Sequence, residues 1–290
     1  MKILLTGKSG QVGYELERSL QGLGEIVAVD RSQMDLSDLQ QVRDVIRSVR
    51  PDLIVNPAAY TAVDKAESEP ELAMRINGEA PAVMAEEAKK LGAGIIHYST
   101  DYVFDGSKET AYIETDPTCP VNVYGATKLA GEQAIQASGV PHLILRTSWV
   151  YGMRGKNFLL TVLRLAGERD ELRIVGDQFG SPTWCRTIAD TTAQLVARLD
   201  AGSGAVEAMA GELGGIYHLT SSGKTTWHGF TEEIVKHASV SKKPKVTAIR
   251  TEEYPLPAKR PHNSEMAGER LRSLNLHLPN WQHALALCQG

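Results

Sequence analysis

A glycine turn between a short apolar run and an amphipathic segment constrains this chain more than any other feature. Lys2-Ile-Leu-Leu-Thr6 is apolar and ends at glycine, as a buried parallel strand requires. Gly7-Lys-Ser-Gly10-Gln-Val-Gly13 follows at once, and residues 11–22 then carry Val12, Leu16 and Leu20 with polar residues between. Glycines permit a tight turn and close backbone approach to a pyrophosphate, and a helix N-terminus adds free N–H donors and a positive dipole end. The spacing is three and three, not the two-then-three of the commoner dinucleotide fingerprint. Asp30 ends the next strand-like run, 23 residues after Gly7, where a ribose-binding acid is expected. The competing reading is a βα turn whose glycines serve conformation alone.

Asp30 and Arg31 pull in opposite directions. The acid favours a free ribose 2′-hydroxyl, as in NAD, whereas the arginine suits a 2′-phosphate, as in NADP, so use of both is expected. Asp35 and Leu36 stand where an adenine would rest, with capping of the next helix as the alternative role for Asp35.

Strand and helix patterns alternate beyond the turn. Ser37-Asp-Leu-Gln40 reads as a capping box opening a helix through Val49, with Pro51 after its end. Residues 53–56, 95–99 and 142–147 read as strands, and residues 81–91 and 122–137 as helices. Such alternation predicts an α/β fold with a Rossmann-like, doubly wound parallel sheet. The second half is less regular, with helices expected at 157–166, 187–199 and 227–238, strands at 172–175, 216–219 and 245–249, and a loop over 201–215. We expect a dinucleotide-binding domain over 1–150, rejoined by about 185–222. A smaller, irregular α/β substrate-binding cap takes 151–184 and 223–290.

Composition narrows the partners. With 31 Lys+Arg against 35 Asp+Glu the net charge is −4, without the basic excess of a nucleic-acid binder. No apolar run approaches the roughly 18 residues needed to span a bilayer. Cys119, Cys185 and Cys288 are odd in number and far apart, which suggests neither a disulfide framework nor a zinc site and fits a reduced, cytoplasmic setting.

Tyr124-Gly-Ala-Thr-Lys128 carries the most chemistry. Residues four apart share a helix face, so both side chains should enter one cleft. An ammonium about 4 Å from a phenol favours the phenolate by about 4 kcal/mol, about three pKa units. Ile95-Ile-His-Tyr-Ser-Thr-Asp101 ends a strand with the hydroxyls of Ser99 and Thr100, and strand carboxyl ends are where ligands bind in open α/β sheets. Capping is the alternative for both hydroxyls.

Together these features resemble the extended short-chain dehydrogenase/reductase superfamily. Further segments are similar to its dTDP-4-dehydrorhamnose reductase family: Asn56-Pro-Ala-Ala-Tyr-Thr-Ala-Val-Asp64, Ser99-Thr-Asp-Tyr-Val-Phe-Asp105, Arg146-Thr-Ser-Trp-Val-Tyr-Gly152 and Asp177-Gln-Phe-Gly-Ser-Pro-Thr183. The resemblance implies reduction by NADPH or NADH of the 4-keto group of a nucleotide sugar, dTDP-4-dehydro-L-rhamnose. It implies that Tyr124 donates the proton, Lys128 lowers its pKa and bonds the nicotinamide ribose, and Thr100 holds the carbonyl oxygen. Gly10, Gln11 and Val12 would meet the pyrophosphate, Ala59, Tyr60 and Thr61 would pass beneath the cofactor, and Tyr98 would lie near it. Asp101 and Trp149 would face the sugar, and Arg260 would meet the diphosphate. Some relatives carry a divalent ion at a dimer contact, so a homodimer with Mg2+ near Glu15 belongs to the same expectation. Pro57 departs from the small residue expected there and removes a donor at a strand end. Two alternatives are a nucleotide-sugar epimerase or dehydratase, and a non-catalytic regulatory subunit on the same scaffold. Tyr102 after Asp101 leaves out the acidic pair of a dehydratase, and intact Thr100, Tyr124 and Lys128 argue against the subunit.

Overall fold

The computed structural model describes residues 1–200, 205–211, 213–240 and 242–290. Six strands make the central sheet: β1 (Lys2–Leu5), β2 (Glu25–Ala28), β3 (Leu53–Asn56), β4 (Gly94–Thr100), β5 (His142–Thr147) and a last strand, Gly215–His218. All neighbours pair in parallel, in the order Gly215–His218, β5, β4, β3, β1, β2. The strands read as unbroken apolar runs because helices cover both faces. On one face α1 (Gln11–Ser19) and the Cys185–Asp200 helix bury Leu16, Leu20, Ile188 and Val196 against Ile3, Leu5 and Val55. On the other, α2 (Leu39–Val49) and the Ala80–Leu91 and Val123–Ser138 helices bury Val42, Ile46, Met84, Ala88 and Ile135 against Leu4, Ile54 and Ile95. The strand order reverses between β1 and β3, which opens a crevice at their carboxyl ends.

After β5 the chain leaves this layer. Val150–Tyr151 pairs with Thr183–Trp184, Glu171–Val175 with Lys245–Ile249, and Phe179–Gly180 with Thr225–Thr226. The Phe158–Glu168, Trp227–His237 and Trp281–Gln289 helices close a separate core around Tyr151, Leu159, Phe230, Ile234, Trp281 and Leu285.

Two local expectations are corrected. Asp38, not Ser37, is the N-cap of α2, accepting from the backbone N–H groups of Gln40 and Gln41. Ser37 instead donates its N–H and hydroxyl to Asp35, so the box pattern sits one residue early. The Gly- and Ala-rich stretch expected as a loop contains a helix over Ala205–Ala210, because four of its six residues are alanine or methionine, good helix formers. Residues 201–204 of that stretch lie outside the described residues.

Candidate active site

The glycine turn is built by close approach. Gly7 has φ +60°, and a Cβ there would stand 3.0 Å from that of Ala58. A Cβ on Gly13 would come within 2.1 Å of the Gly7 carbonyl oxygen, so only glycine lets α1 start this near β1. Gly10 is the extended N-cap of α1, and no side chain caps that terminus. The first N–H groups of the helix are therefore open to an anion.

They face a cleft of about 520 Å³. Asp30, Arg31, Asp35 and Leu36 form one end. Gly7, Gly10, Gln11, Val12 and Gly13 form one wall, and Ala59, Tyr60 and Thr61 another. Tyr98, Tyr124 and Lys128 close the far end. The cradle and its length suit a dinucleotide. Thr100, Asp101, Trp149 and Arg260 do not line this cleft. Pro57, Ala58, Ile76, Ser99, Thr147 and Val150 do, without having been assigned to it. Most of these adjoin residues that the motifs name, but Ile76 comes from a π-helical turn, Arg75–Glu79, that no sequence signal marks. Asn77 of that turn accepts from the Tyr60 N–H at 2.8 Å and donates to the Tyr60 carbonyl at 3.0 Å, fixing the loop on which Pro57 and Tyr60 lie.

At one end of the cleft Asp30 accepts from the hydroxyl and N–H of Ser32, which hold its carboxyl below the usual range. Arg31 is exposed and pairs with Asp35 at 3.1 Å, not with Asp30.

At the far end the structure changes the expected electrostatics. Asn122 caps the Val123–Ser138 helix by accepting from Gly125 N–H at 2.8 Å, which puts Tyr124 and Lys128 one turn apart. Lys128 is 2% exposed and donates to the Tyr98 carbonyl at 2.6 Å, with its Nζ 3.2 Å from His97 Nε2. It thus turns to β4 rather than to the Tyr124 hydroxyl. Burial pushes its pKa down to about 8, with Glu132 partly opposing. Burial pushes Tyr124 up to about 12, against a smaller lowering by the Thr100 hydroxyl. The lysine therefore does not lower the tyrosine in this arrangement, contrary to expectation. A buried ammonium and a half-buried phenol each lose hydration before either gains from the other.

Thr100 donates to Asp101 Oδ1 at 2.9 Å and accepts from Tyr102 N–H at 3.2 Å. Asp101 is buried, which raises its carboxyl to about 6, and its Oδ2 has no hydrogen-bond partner among the described residues. Trp149 takes a left-handed φ of +46° and stacks on Trp227, with ring centroids 3.5 Å apart and planes 5° from parallel. The glycine of Gly180-Ser-Pro-Thr183 makes room for it, since a Cβ there would lie 2.4 Å from the indole. Ser148 donates to the Ser181 carbonyl at 2.7 Å and latches this turn. Arg260 forms a bidentate pair with Asp64 and donates to the Ala258 carbonyl, so its guanidinium already has partners. Among the described residues no group of three or more His, Cys, Asp and Glu side chains is placed to hold a metal ion. No helix there is long and apolar enough to cross a membrane.

The parallel sheet, the glycine cradle and the Tyr124/Lys128 helix together define a Rossmann-type reductase architecture. The chain belongs to the family described as the RmlD substrate binding domain, whose model matches residues 1–289. It is 49% identical over 296 aligned residues to a dTDP-4-dehydrorhamnose reductase of Burkholderia thailandensis, covering 99% of this chain and 98% of that one. An Escherichia coli K12 protein of the same name is 47% identical over 291 residues, covering 97% and 95%. A crystal structure of dTDP-4-dehydrorhamnose reductase from Bacillus anthracis in complex with NADP superposes with a TM-score of 0.90 at 35% identity, covering 99% of this chain and 98% of that one.

Proposed function

We propose that this chain is an NAD(P)H-dependent oxidoreductase that reduces the 4-keto group of dTDP-4-dehydro-L-rhamnose to dTDP-L-rhamnose. The observation that carries the reading is the single cleft running from the Asp30 end, past an uncapped helix N-terminus, to Tyr124 and Lys128. Full-length likeness to reductases of that name supports the sugar and the nucleotide. Residues 1–150 with about 185–222 are read as the cofactor half, since Gly215–His218 pairs with β5. Residues 151–184 and 223–290 are read as the substrate half.

Bound NAD(P)H would supply the hydride. The N–H groups of Gln11 and Val12, beside the bare Gly10, would hold the pyrophosphate, Asp30 would accept from the adenosine ribose, and Lys128 would bond the nicotinamide ribose. Thr100 would orient the carbonyl oxygen once its hydroxyl turns from Asp101. Tyr124 gives its proton to the oxygen as negative charge develops there. A phenol whose pKa is pushed up to about 12 keeps its proton at neutral pH until such a strong base appears. The buried, unpartnered Asp101 Oδ2 is a ready acceptor for a sugar hydroxyl. The decisive experiment supplies dTDP-4-dehydro-L-rhamnose with NADPH and follows cofactor oxidation and dTDP-L-rhamnose formation. No turnover with either reduced cofactor would overturn the reading.

Both cofactors should serve. Arg31, the exposed cation at the ribose end, should favour a 2′-phosphate once it swings from Asp35. Arg31→Ala should raise the NADPH KM several-fold and leave the NADH KM nearly unchanged. Equal changes would remove Arg31 from the 2′-phosphate.

Trp149 remains our wall for the sugar, now as one ring of a stacked pair. By analogy with base–aromatic stacking at roughly 1–3 kcal/mol, Trp149→Ala should raise the dTDP-sugar KM about tenfold or more. A lower Tm with an unchanged sugar KM would make the Trp149–Trp227 stack a packing feature alone. We read the protein as cytoplasmic and as a homodimer, with reduced cysteines consistent with that compartment.

A further inference from the structure

Behind Lys128 a line of buried polar side chains crosses three strands of the sheet. Lys128 Nζ lies 3.2 Å from His97 Nε2, His97 Nδ1 lies 3.0 Å from Asn56 Nδ2, and Asn56 Oδ1 accepts from the Thr6 hydroxyl at 2.6 Å. Thr6 follows β1, Asn56 ends β3 and His97 is within β4. His97 and Asn56 are wholly buried and Thr6 is 1% exposed. Four polar groups in an apolar sheet are costly unless each serves another, and none of the last three lines the cleft.

The donor count links them. A neutral imidazole has one N–H and one lone pair. With the Asn56 amide donating to Nδ1, the ring proton is on Nε2 and points at Lys128, which can then accept only as a free amine. With the amide turned over, its oxygen accepts from Nδ1–H, its NH2 donates to Thr6, and the Nε2 lone pair receives the Lys128 ammonium. The two arrangements differ by one proton, exchanged with solvent in the cleft.

The charged and titratable groups around Lys128 leave His97 as the side chain best placed to choose between these states. On the same helix Glu132 is held by Arg146 of β5 through two bonds of 3.0 and 2.7 Å, and Tyr124 points to the cleft. From β4 come the Tyr98 carbonyl and, past its end, Asp101, which bonds Thr100. The Tyr98 hydroxyl is engaged with Thr192 at 2.7 Å. Among the described residues no carboxylate bonds the lysine directly.

Resting on the role given to Lys128 above, we propose that His97, oriented by Asn56 and Thr6, is a positioning residue that sets the charge state of Lys128 and hence the alkaline limit of the reaction. The ammonium is the form that bonds the nicotinamide ribose more strongly, because a charged donor makes the stronger hydrogen bond, so activity should fall above the pH at which it deprotonates.

The test is the pH profile of kcat with NADPH for the wild type, His97→Leu, His97→Gln and Asn56→Asp. His97→Leu removes the acceptor and should move the alkaline limb down by about 1–2 pH units, the equivalent of one hydrogen bond to a charged group. His97→Gln keeps an oxygen near the Nε2 position and should return the limb to within a few tenths of a unit of wild type. Asn56→Asp can only accept from Nδ1–H, so it should move the limb up. An unmoved limb in His97→Leu, or equal shifts in His97→Leu and His97→Gln, overturns the proposal. If His97→Leu does not fold, an unmoved limb in Asn56→Asp overturns it. Lys128→Met separates the two levels. If it keeps wild-type kcat and profile, the role of Lys128 is wrong. If it abolishes turnover while the His97 variants keep the wild-type limb, only the present inference fails.

Discussion

Tyr124→Phe should lower kcat by roughly 10²–10⁴-fold, the usual contribution of a positioned proton donor. The ring stays and only the hydroxyl goes, so the edge-on contact with Tyr102, at 5.9 Å between centroids, is kept. Stability should change little, because Tyr124 lines the cleft and is not a core residue. Cofactor and dTDP-sugar affinities should hold, since the glycine cradle at the other end of the cleft is untouched. Steady-state kinetics with each substrate varied, beside a binding titration of NADPH, checks both halves of the expectation. Near-normal kcat would take the proton-donor role from Tyr124. A lost kcat with equally lost NADPH binding would make the hydroxyl a binding group instead.

The glycine-turn end of this cleft was legible in the sequence because its logic is local. Gly7, Gly10 and Gly13 lie within one turn, and Asp30 lies one strand away, so spacing alone brings them together. The Tyr124/Lys128 pair is local in the same way. What spacing does not carry is side-chain direction. Lys128 shares a helix face with Tyr124 but finds a carbonyl on β4, a partner 30 residues earlier in the chain. Arg260 is expected to meet a diphosphate, yet its guanidinium is already held by Asp64, 196 residues away. Trp149 is expected to face the sugar, whereas its orientation depends on a left-handed backbone and on the bare face of Gly180. The same holds for Asn77 and His97, whose value lies in what they hold in place. Long-range pairing of single polar groups leaves no periodic trace, whereas strands and helices repeat and are read from a dozen residues. The capping of α2 failed on a finer scale, where Ser37 and Asp38 are both good caps and only the turn made by Asp35 decides between them.

Lys128→Met should abolish most turnover and yet give a protein more stable at pH 7. The two effects share one cause. Lys128 is 2% exposed, and burial takes its pKa from 10.5 to about 8. A tenfold loss of proton affinity corresponds to about 1.4 kcal/mol, so the folded state carries a burden of about 3 kcal/mol when the ammonium is fully charged. The sign follows from proton counts. Between pH 8 and 10.5 the unfolded chain binds the proton that the folded chain has released, so the stability of the wild type rises with pH across that window. Below about pH 8 both states are charged and the burden is complete. Methionine fills nearly the same volume without the charge, but it leaves the Tyr98 carbonyl and His97 Nε2 without their donor, which returns about 1–2 kcal/mol of the gain. A net stabilisation of about 1–2 kcal/mol at pH 7 is therefore expected, shrinking as the pH is raised through the window. Denaturant unfolding of both proteins at pH 7 and pH 9.5 reads the difference directly. Lower stability of Lys128→Met at pH 7, or a gap that grows with pH, would mean that the buried ammonium is held by stronger partners than a carbonyl and an imidazole. Lost activity together with gained stability would mark Lys128 as a residue kept for its chemistry against the interest of the fold.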